Sequence, residues 1–153
     1  MLHIDDIDRR ILAVMQQDAT CTNIALAEQV GLTPSTCLRR VRRLRESGVI
    51  AQVVALVDPE AVGRGLTAVV TVELGHHGAP QKADFVRRLQ REPSIQQAWG
   101  TTGEVDVILV LRLLAMSEYQ GVIDRLFAND PLVTRFYTYV VVETYKETTA
   151  LPL

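Results

Sequence analysis

The hydrophobic residues of the chain change their spacing near residue 60, from intervals of three and four residues to intervals near two. In the first part, a helix is predicted over residues 5–17, with Asp5 or Asp6 as its N-cap. Its apolar face follows the i, i+4, i+7, i+8 spacing and consists of Ile7, Ile11, Val14 and Met15. This spacing is typical of a helix that buries one face and exposes the other.

A second helix is predicted to begin near Thr22 or Asn23 and to end at Gly31, because glycine adopts positive φ at little cost. Its apolar residues are Ile24, Leu26, Ala27 and Val30. Thr33 then caps a third helix, which has Pro34 at its first position. Two helices joined by so short a turn are expected to cross at a large angle, which is the helix-turn-helix geometry.

After Gly48 the spacing favours strands separated by turn residues. Residues 49–57 are predicted to form a strand, and Pro59, Gly63 and Gly65 mark a linker after it. The remaining elements are predicted in the order strand 68–74, helix 81–90, strand 95–101, strand 105–113, a helix that begins with the capping box Ser117-x-x-Gln120, and strand 133–143. This βαββαβ order is that of a ferredoxin-like fold.

We therefore predict an α+β protein with three parts. Residues 1–48 form a winged-helix-like helix-turn-helix domain, residues 49–65 a linker strand and hinge, and residues 66–153 the ferredoxin-like βαββαβ domain. Strand 105–113 is apolar on both faces, so two layers must cover it. The helices supply one layer, and a second copy of the chain is expected to supply the other. The alternative is a small two-layer domain with one dry face.

Composition restricts the class of protein. The chain has 153 residues, a formal net charge of -2, a pI of about 5.9 and 48% hydrophobic residues, as in ordinary soluble proteins. The opening MLHIDDIDRR does not resemble a signal peptide, and no apolar run approaches the roughly 20 residues of a membrane helix. We therefore expect a cytoplasmic protein without membrane contact. Cys21 and Cys37 are expected to pack as reduced thiols, and His76-His77 to form a solvated loop rather than a metal site.

The third helix carries five arginines in a chain that is otherwise slightly acidic. At about 100° per residue, Cys37, Val41 and Leu44 share its inward face. The residues predicted to point outward are Ser35, Thr36, Arg39 and Arg43, with Arg40 and Arg42 on either side. Small polar residues and arginine can bond base edges, and other guanidinium groups can meet phosphates. We predict that the helix binds double-stranded DNA through Thr33, Ser35, Thr36, Arg39, Arg40, Arg42 and Arg43. The alternatives are a solvated arginine face and a contact with an acidic partner protein.

Along essentially its whole length, the chain resembles the Lrp/AsnC (leucine-responsive/asparagine-responsive) family of transcriptional regulators. The matching pieces are residues 4–12, Leu26-Ala27, Gly31-Leu32-Thr33-Pro34, Arg39-Arg40-Val41, Gly48-Val49-Ile50, Thr102-Gly103-Glu104-Val105-Asp106, Thr138, Lys146 and Leu151-Pro152-Leu153. Their order and spacing together are specific to the family. The resemblance implies a sequence-specific DNA-binding regulator that dimerises through its C-terminal sheets, often assembles into octamers, and responds to a small molecule, usually an amino acid.

The resemblance also implies an effector pocket at a subunit interface, beside the turn Gly103-Glu104-Val105-Asp106. A glycine turn with acids can offer carboxylates to an ammonium group and backbone N–H groups to a carboxylate. The predicted effector residues are Gly100, Thr101, Thr102, Gly103, Glu104, Asp106 and Thr138. Val105 departs from the tyrosine that the family often has there. The alternative is a tight hairpin whose acids cap neighbouring backbone groups.

Two rival functions remain from the sequence. An architectural protein that coats DNA would keep the third helix but need no effector. A ferredoxin-like dimeric enzyme is the other rival, since a fold does not fix a function. The sequence has no metal-ligand cluster, no nucleophile motif with a partner histidine and no phosphate-binding glycine loop followed by lysine. We therefore predict that the protein is not an enzyme and uses neither a cofactor nor a metal.

Overall fold

The computed structural model describes residues 3–75 and 78–153, and His76-His77 lies outside the described residues. The chain divides into two compact units. One comprises Met1–Leu56 with Tyr145–Leu153, and the other comprises Val57–Thr144. No helix within the described ranges is both long enough and apolar enough to cross a membrane.

The first unit contains three helices, in agreement with the predicted pattern. They are α1 (Asp6–Gln17), α2 (Asn23–Val30) and α3 (Pro34–Glu46). Each begins at a predicted cap, because the side chains of Asp5, Thr22 and Thr33 accept hydrogen bonds from backbone N–H groups of the first turn. Gly31 ends α2 in the left-handed region, with φ of 72°. The helix-turn-helix order is therefore confirmed.

The core of the first unit is built from the apolar stripes of these helices. Ala27 is buried where the helices approach closely, and the fully buried Cys37 holds α3 against them. Burial raises the pKa of the Cys37 thiol, so this residue acts as a packing group in its neutral form. The other buried apolar residues are Ile11, Leu12, Leu26, Val30, Val41 and Leu44. The predicted inward face of α3 is confirmed.

The second unit has the predicted ferredoxin-like order. Its elements are β1 (Leu66–Leu74), α4 (Ala79–Arg91), β2 (Ile95–Gly100), β3 (Val107–Leu113), α5 (Met116–Ile123), one π-helical turn (Asp124–Ala128) and β4 (Val133–Val140). The strands form one antiparallel sheet in the order β2-β3-β1-β4. The helices cover one face of it, so the α+β fold class is confirmed.

Aromatic side chains join the helices to the sheet in this second core. The rings of Phe85 on α4 and Phe127 in the π-helical turn lie 6.2 Å apart, and Phe136 on β4 lies 5.6 Å from Phe127. Phe85 and Phe127 are buried, and burying a side chain of this size contributes about 1.5–3 kcal/mol each. The alternate residues of β1 and β3 complete the core: Ala68, Val70, Val72, Val107, Leu109, Leu111 and Leu113.

Two predicted local features are wrong. Residues 49–57 form no strand, and their apolar residues Val53, Val54 and Leu56 are exposed. The physical reason is that an extended segment becomes a strand only when a neighbour accepts its backbone hydrogen bonds, and no described segment does so. The capping box at Ser117 is absent as well, since the N-cap of α5 is Ala115, two residues before Ser117, and no side chain caps the helix.

Glu118 explains why Ser117 does not cap α5. Its carboxylate accepts hydrogen bonds from the Leu114 backbone N–H and from the Ser94 hydroxyl, both at 2.7 Å. These bonds, with one from Arg64, lower the pKa of Glu118. Glu118, in the first turn of α5, thus accepts from a backbone N–H that precedes the helix. The sequence pattern predicts instead that Ser117 and Gln120 make the bonds at this helix start.

Residues 145–153 belong to the first unit, although they follow β4 in the chain. The backbone N–H of Leu151 donates to Gln16 Oε1 at 2.6 Å, and Gln16 Nε2 donates to the Leu151 carbonyl oxygen at 3.1 Å. The C-terminal segment is therefore bound to the end of α1 through both polar atoms of one side chain.

Candidate functional site

The N-terminal turn of α3 carries three of the predicted DNA-binding residues. Thr33 Oγ1 accepts from the Thr36 backbone N–H at 3.3 Å and lies 2.9 Å from the Thr36 hydroxyl and 3.3 Å from that of Ser35. Asn23 Nδ2 donates to the Pro34 carbonyl oxygen at 2.8 Å and so connects α2 to this turn. Ser35 is exposed, whereas the Thr33 hydroxyl is occupied in capping the helix.

The arginines of α3 divide into two groups. Arg39, Arg42 and Arg45 are exposed, and within residues 3–75 and 78–153 none of them has a hydrogen bond or an ion pair. Arg40 and Arg43 instead reach α1, where Asp8 lies fully buried. The charge that α3 presents to solvent is therefore smaller than its five arginines suggest.

The contacts with α1 form one connected network. Arg40 Nη1 donates to Asp5 at 2.8 Å and to Asp8 at 2.9 Å, and Arg43 Nη2 donates to the second oxygen of Asp8. Asp8 also accepts from the Asp5 backbone N–H at 3.3 Å, while the Asp8 N–H donates to Asp5 at 2.8 Å. The Asp8 N–H and then the Arg40 guanidinium lower the pKa of Asp5 to about 2. The hydrogen bonds that Arg40 donates to Asp5 and then to Asp8 raise the pKa of Arg40 itself.

The position of Arg43 differs from the prediction that it shares the outward face with Arg39. The ion pair with Asp8 draws its guanidinium toward α1, although 43% of the Arg43 side chain remains exposed. The sequence feature that could have predicted this ion pair is Asp8 itself. It stands three and four residues before Ile11 and Leu12, on the apolar stripe of α1. An acid buried on such a stripe requires a cationic partner.

The predicted effector loop lies between β2 and β3 and is braced by its own backbone. The Thr101 N–H donates to the Asp106 carbonyl oxygen at 2.9 Å, and the Thr101 hydroxyl donates to the Val105 carbonyl oxygen. Gly103 has φ of 133°, a conformation that side chains other than glycine's rarely adopt. The loop therefore has a defined hairpin geometry.

The two acids of the loop have different surroundings. Asp106 Oδ2 accepts from the Leu74 N–H at 2.7 Å, and the Asp106 N–H donates to the Val72 carbonyl oxygen at 2.9 Å, so this residue holds the end of β1. Glu104 is exposed, and its carboxylate has no partner within the part of the chain that the structure describes. Gly100, Thr102 and Gly103 are exposed beside it.

Thr138 does not join these residues. It pairs with Val70, so β1 lies between Thr138 and the strand that follows the loop. Its hydroxyl oxygen is 2.7 Å from Tyr119 Oη, which places it under α5 on the helix-covered face. A separate surface cleft of about 530 Å³ contains none of the predicted effector residues and is lined by Pro80, Gln81, Asp84, Arg88, Asn129, Asp130, Pro131 and Leu132.

The sheet face opposite the helices, which we term the open face, is largely apolar. In its centre, Val69 pairs with Val110, and both are only half-buried. Toward its edges, Trp99, Tyr137 and Tyr139 are 48%, 47% and 57% exposed. Aromatic side chains at such exposure are enriched in surfaces that bind another protein.

Comparison with known proteins identifies the family. Residues 4–51 match the family model for winged helix-turn-helix DNA-binding domains, and residues 67–151 match the model for the Lrp/AsnC ligand binding domain. The chain belongs to the Lrp/AsnC family. Its relatives in this family include the DNA-binding transcriptional activator DecR of Escherichia coli, which is 36% identical over 98% of this chain and 99% of the relative.

Solved structures of Lrp/AsnC proteins have the same fold along nearly the whole chain. A transcriptional regulator from Neisseria meningitidis, solved as its complex with L-Met, has a TM-score of 0.93 and 31% identity over 98% of this chain and 97% of its own. An AsnC family regulator from Agrobacterium tumefaciens has a TM-score of 0.92 and 30% identity over 97% of this chain and 96% of its own. The protein is thus a transcriptional regulator with a helix-turn-helix DNA-binding domain and a ligand-binding domain, and the predicted family resemblance is confirmed.

Proposed function

We propose that this Lrp/AsnC protein is a sequence-specific regulator that reads DNA with α3 and responds to an amino acid or a related small molecule bound beside residues 100–106. The observation that carries the first part is the exposed side of α3. Ser35, Arg39 and Arg42 lie there, and neither arginine has an ion pair within the described residues.

The chemistry of this exposed side suits a major groove. Arginine bonds two acceptors of guanine at once, and a small hydroxyl at the start of the helix can approach a base edge. We assign base contacts to Ser35 and Arg39, and a phosphate contact to Arg42. Among the other predicted residues, Thr33 and Thr36 support the helix start, while Arg40 and Arg43 are occupied by α1.

Binding-site selection from random double-stranded DNA, followed by titration of the selected operator, tests this assignment. Arg39→Ala is expected to weaken operator binding by about 1–3 kcal/mol and to relax the sequence preference at one position. Arg91→Ala is the matched control, because Arg91 is exposed on α4, outside the helix-turn-helix unit. Equal operator affinity for the two variants would refute the role of Arg39, and a selection without any sequence preference would favour an architectural protein.

An amino acid effector fits the loop between β2 and β3. The exposed Glu104 carboxylate is available to an ammonium group, and backbone N–H groups of the glycine turn are available to a carboxylate. The relative from Neisseria meningitidis supports this ligand class, since its structure holds L-Met and the two chains share 31% identity. We therefore assign Gly100, Thr101, Thr102, Gly103, Glu104 and Asp106 to the effector site and leave out Thr138, which lies under α5.

A thermal-shift screen of the standard amino acids tests the effector. A ligand present at about 100 times its Kd is expected to stabilise the folded protein by about 2.7 kcal/mol. Glu104→Gln is expected to lose this response, whereas Glu28→Gln, which alters an exposed acid on α2, is expected to keep it. The proposal fails if no amino acid stabilises the wild type, or if both variants respond as the wild type does.

We further propose that the open face is covered by the open face of a second copy, and that such dimers can assemble into octamers. Val110→Asp would place a charge at the half-buried centre of this face, where a partner would bury it without compensation. Sedimentation velocity is expected to show a monomer for this variant and an oligomer for the wild type. Val86→Asp on the helix-covered side is the control, and dissociation of both variants alike would contradict the assigned surface.

A further inference from the structure

The network around Asp8 bears on which arginines of α3 can reach DNA. Arg40 and Arg43 are one turn apart and approach the same carboxylate from one side of the helix. Arg39 and Arg42 are their immediate neighbours in sequence but point to solvent. Arg39 and Arg40 thus point in different directions, as do Arg42 and Arg43. Of these four, only Arg40 and Arg43 have an anionic partner among the described residues.

Asp8 constrains its arginines because it is fully buried. A buried carboxylate is tolerated only when it is paired and hydrogen-bonded, and Asp8 meets this need with two guanidinium groups and one backbone N–H. If Arg43 moved to a DNA phosphate, one oxygen of the fully buried Asp8 carboxylate would lose its ionic partner. Salt weakens a phosphate contact at the protein surface, whereas it screens the ion pairs of Asp8 less, because this carboxylate is fully buried even though the Arg43 side chain is 43% exposed.

We propose that Asp8 is a positioning residue that withholds Arg43, and jointly with Asp5 also Arg40, from the DNA phosphates, so that Arg39, Arg42 and Arg45 are the arginines of α3 that neutralise DNA charge. This inference rests on the proposed DNA-binding function and adds to it the division of the arginines. Asp8 also fixes the direction of α3 relative to α1 through the same bonds, because both guanidinium groups originate on α3.

The salt dependence of DNA affinity measures this division, since each neutralised phosphate adds about 0.9 to the slope of log affinity against log salt. Binding of the full chain to its selected operator is titrated between about 50 and 200 mM salt, a range over which such slopes are well resolved. Arg42→Gln is expected to reduce the slope by about one, as the loss of a phosphate contact does. Arg43→Gln is the matched variant on the adjacent residue and is expected to leave the slope unchanged.

Asp8→Asn provides the opposite change. The amide keeps an oxygen for the Asp5 N–H but removes the charge that holds Arg43, while Asp5 still holds Arg40. Released toward DNA, Arg43 is expected to increase the slope by about one, whereas Arg40 keeps its hydrogen bonds to Asp5. A merely structural role of Asp8 would lower the affinity at every salt concentration without steepening its salt dependence.

Three results would overturn the inference. One is a slope for Arg43→Gln that falls as far as that of Arg42→Gln, and another is a wild-type slope for Asp8→Asn. The third result comes from NMR of the wild type, in which the side-chain N–H signals of the arginines are followed on operator binding. If the signals of Arg40 and Arg43 shift as much as those of Arg39, these two arginines contact the DNA directly. Circular dichroism checks that each variant is folded. If a variant does not fold, the NMR measurement on the wild type tests the inference instead. Wild-type protein that binds no operator would refute the proposed function itself, a result distinct from any of these.

Discussion

Asp106→Ala separates the structural role of the effector loop from its ligand role. In the wild type, the Asp106 carboxylate accepts from the half-buried Leu74 N–H at 2.7 Å, where β1 ends. A hydrogen bond to a charged group contributes about 1.5–3 kcal/mol, and its removal leaves the donor unsatisfied. The backbone bonds of Thr101 and Val72 to Asp106 do not depend on the side chain and are expected to persist. We therefore expect Asp106→Ala to destabilise the second unit by about 2 kcal/mol.

Urea denaturation followed by tryptophan fluorescence is a suitable assay, because Trp99 on β2 is the single tryptophan of the chain and reports on this unit. With a slope of about 1–3 kcal/mol/M, a loss of about 2 kcal/mol lowers the midpoint by about 1 M. Asp106→Asn keeps an acceptor but not the charge, so its loss is expected to be smaller. Glu104→Ala, which removes no contact between described residues, is expected to stay within about 0.5 kcal/mol of the wild type.

A midpoint for Asp106→Ala equal to that of Glu104→Ala would refute the bracing role of Asp106. The expected result has a consequence for effector binding. Loss of the ligand response in Asp106→Ala could then arise from a displaced loop and would not demonstrate direct contact. Glu104 is for this reason the residue to alter when the ligand contact itself is tested.

Three further predictions concern single side chains in the two units. Thr33→Ala is expected to cost about 1 kcal/mol in denaturation followed by circular dichroism, because the cap of α3 is lost; an unchanged midpoint would refute the cap. The pKa of Asp5 falls from 3.8 to about 2 on folding, so its contribution is present above its ordinary pKa and is lost as the pH falls through about 2. Wild type is therefore expected to lose more stability than Asp5→Asn between about pH 4 and pH 2, and parallel curves would contradict this. Phe127→Ala is expected to cost about 3–5 kcal/mol by Trp99 fluorescence, since the ring is buried against Phe85 and Phe136; a loss below about 1 kcal/mol would contradict that packing.

The helices of the first unit could be predicted because their signals are local. Each cap and the backbone group that it accepts from are three residues apart, at Asp5, Thr22 and Thr33. Gly31 likewise needs only its own backbone conformation to end α2. Such features depend little on the rest of the fold, so the sequence specifies them directly.

The errors arose where a distant group determines the outcome. Residues 49–57 have the composition of a strand, but the chain offers them no described neighbour with which to pair. The Ser117 capping box matched a sequence pattern, yet Glu118 bonds Ser94, 24 residues earlier in the chain. The bracing role of Asp106 likewise depends on Leu74, at a separation of 32 residues, and only the register of the sheet brings them together.

Arg43 extends this argument from structure to function. A helical period gives the direction in which Cβ leaves the backbone, but the arginine side chain is long and flexible enough for a nearby carboxylate to determine where its charge lies. That carboxylate belongs to Asp8, 35 residues away in sequence, and Arg40 shares it. The five arginines of α3 therefore overstate its charge toward DNA, because the two on one side of the helix neutralise an acid that the protein itself has buried. The acid on the apolar stripe of α1, rather than the arginine run, is the sequence feature that distinguishes the two groups.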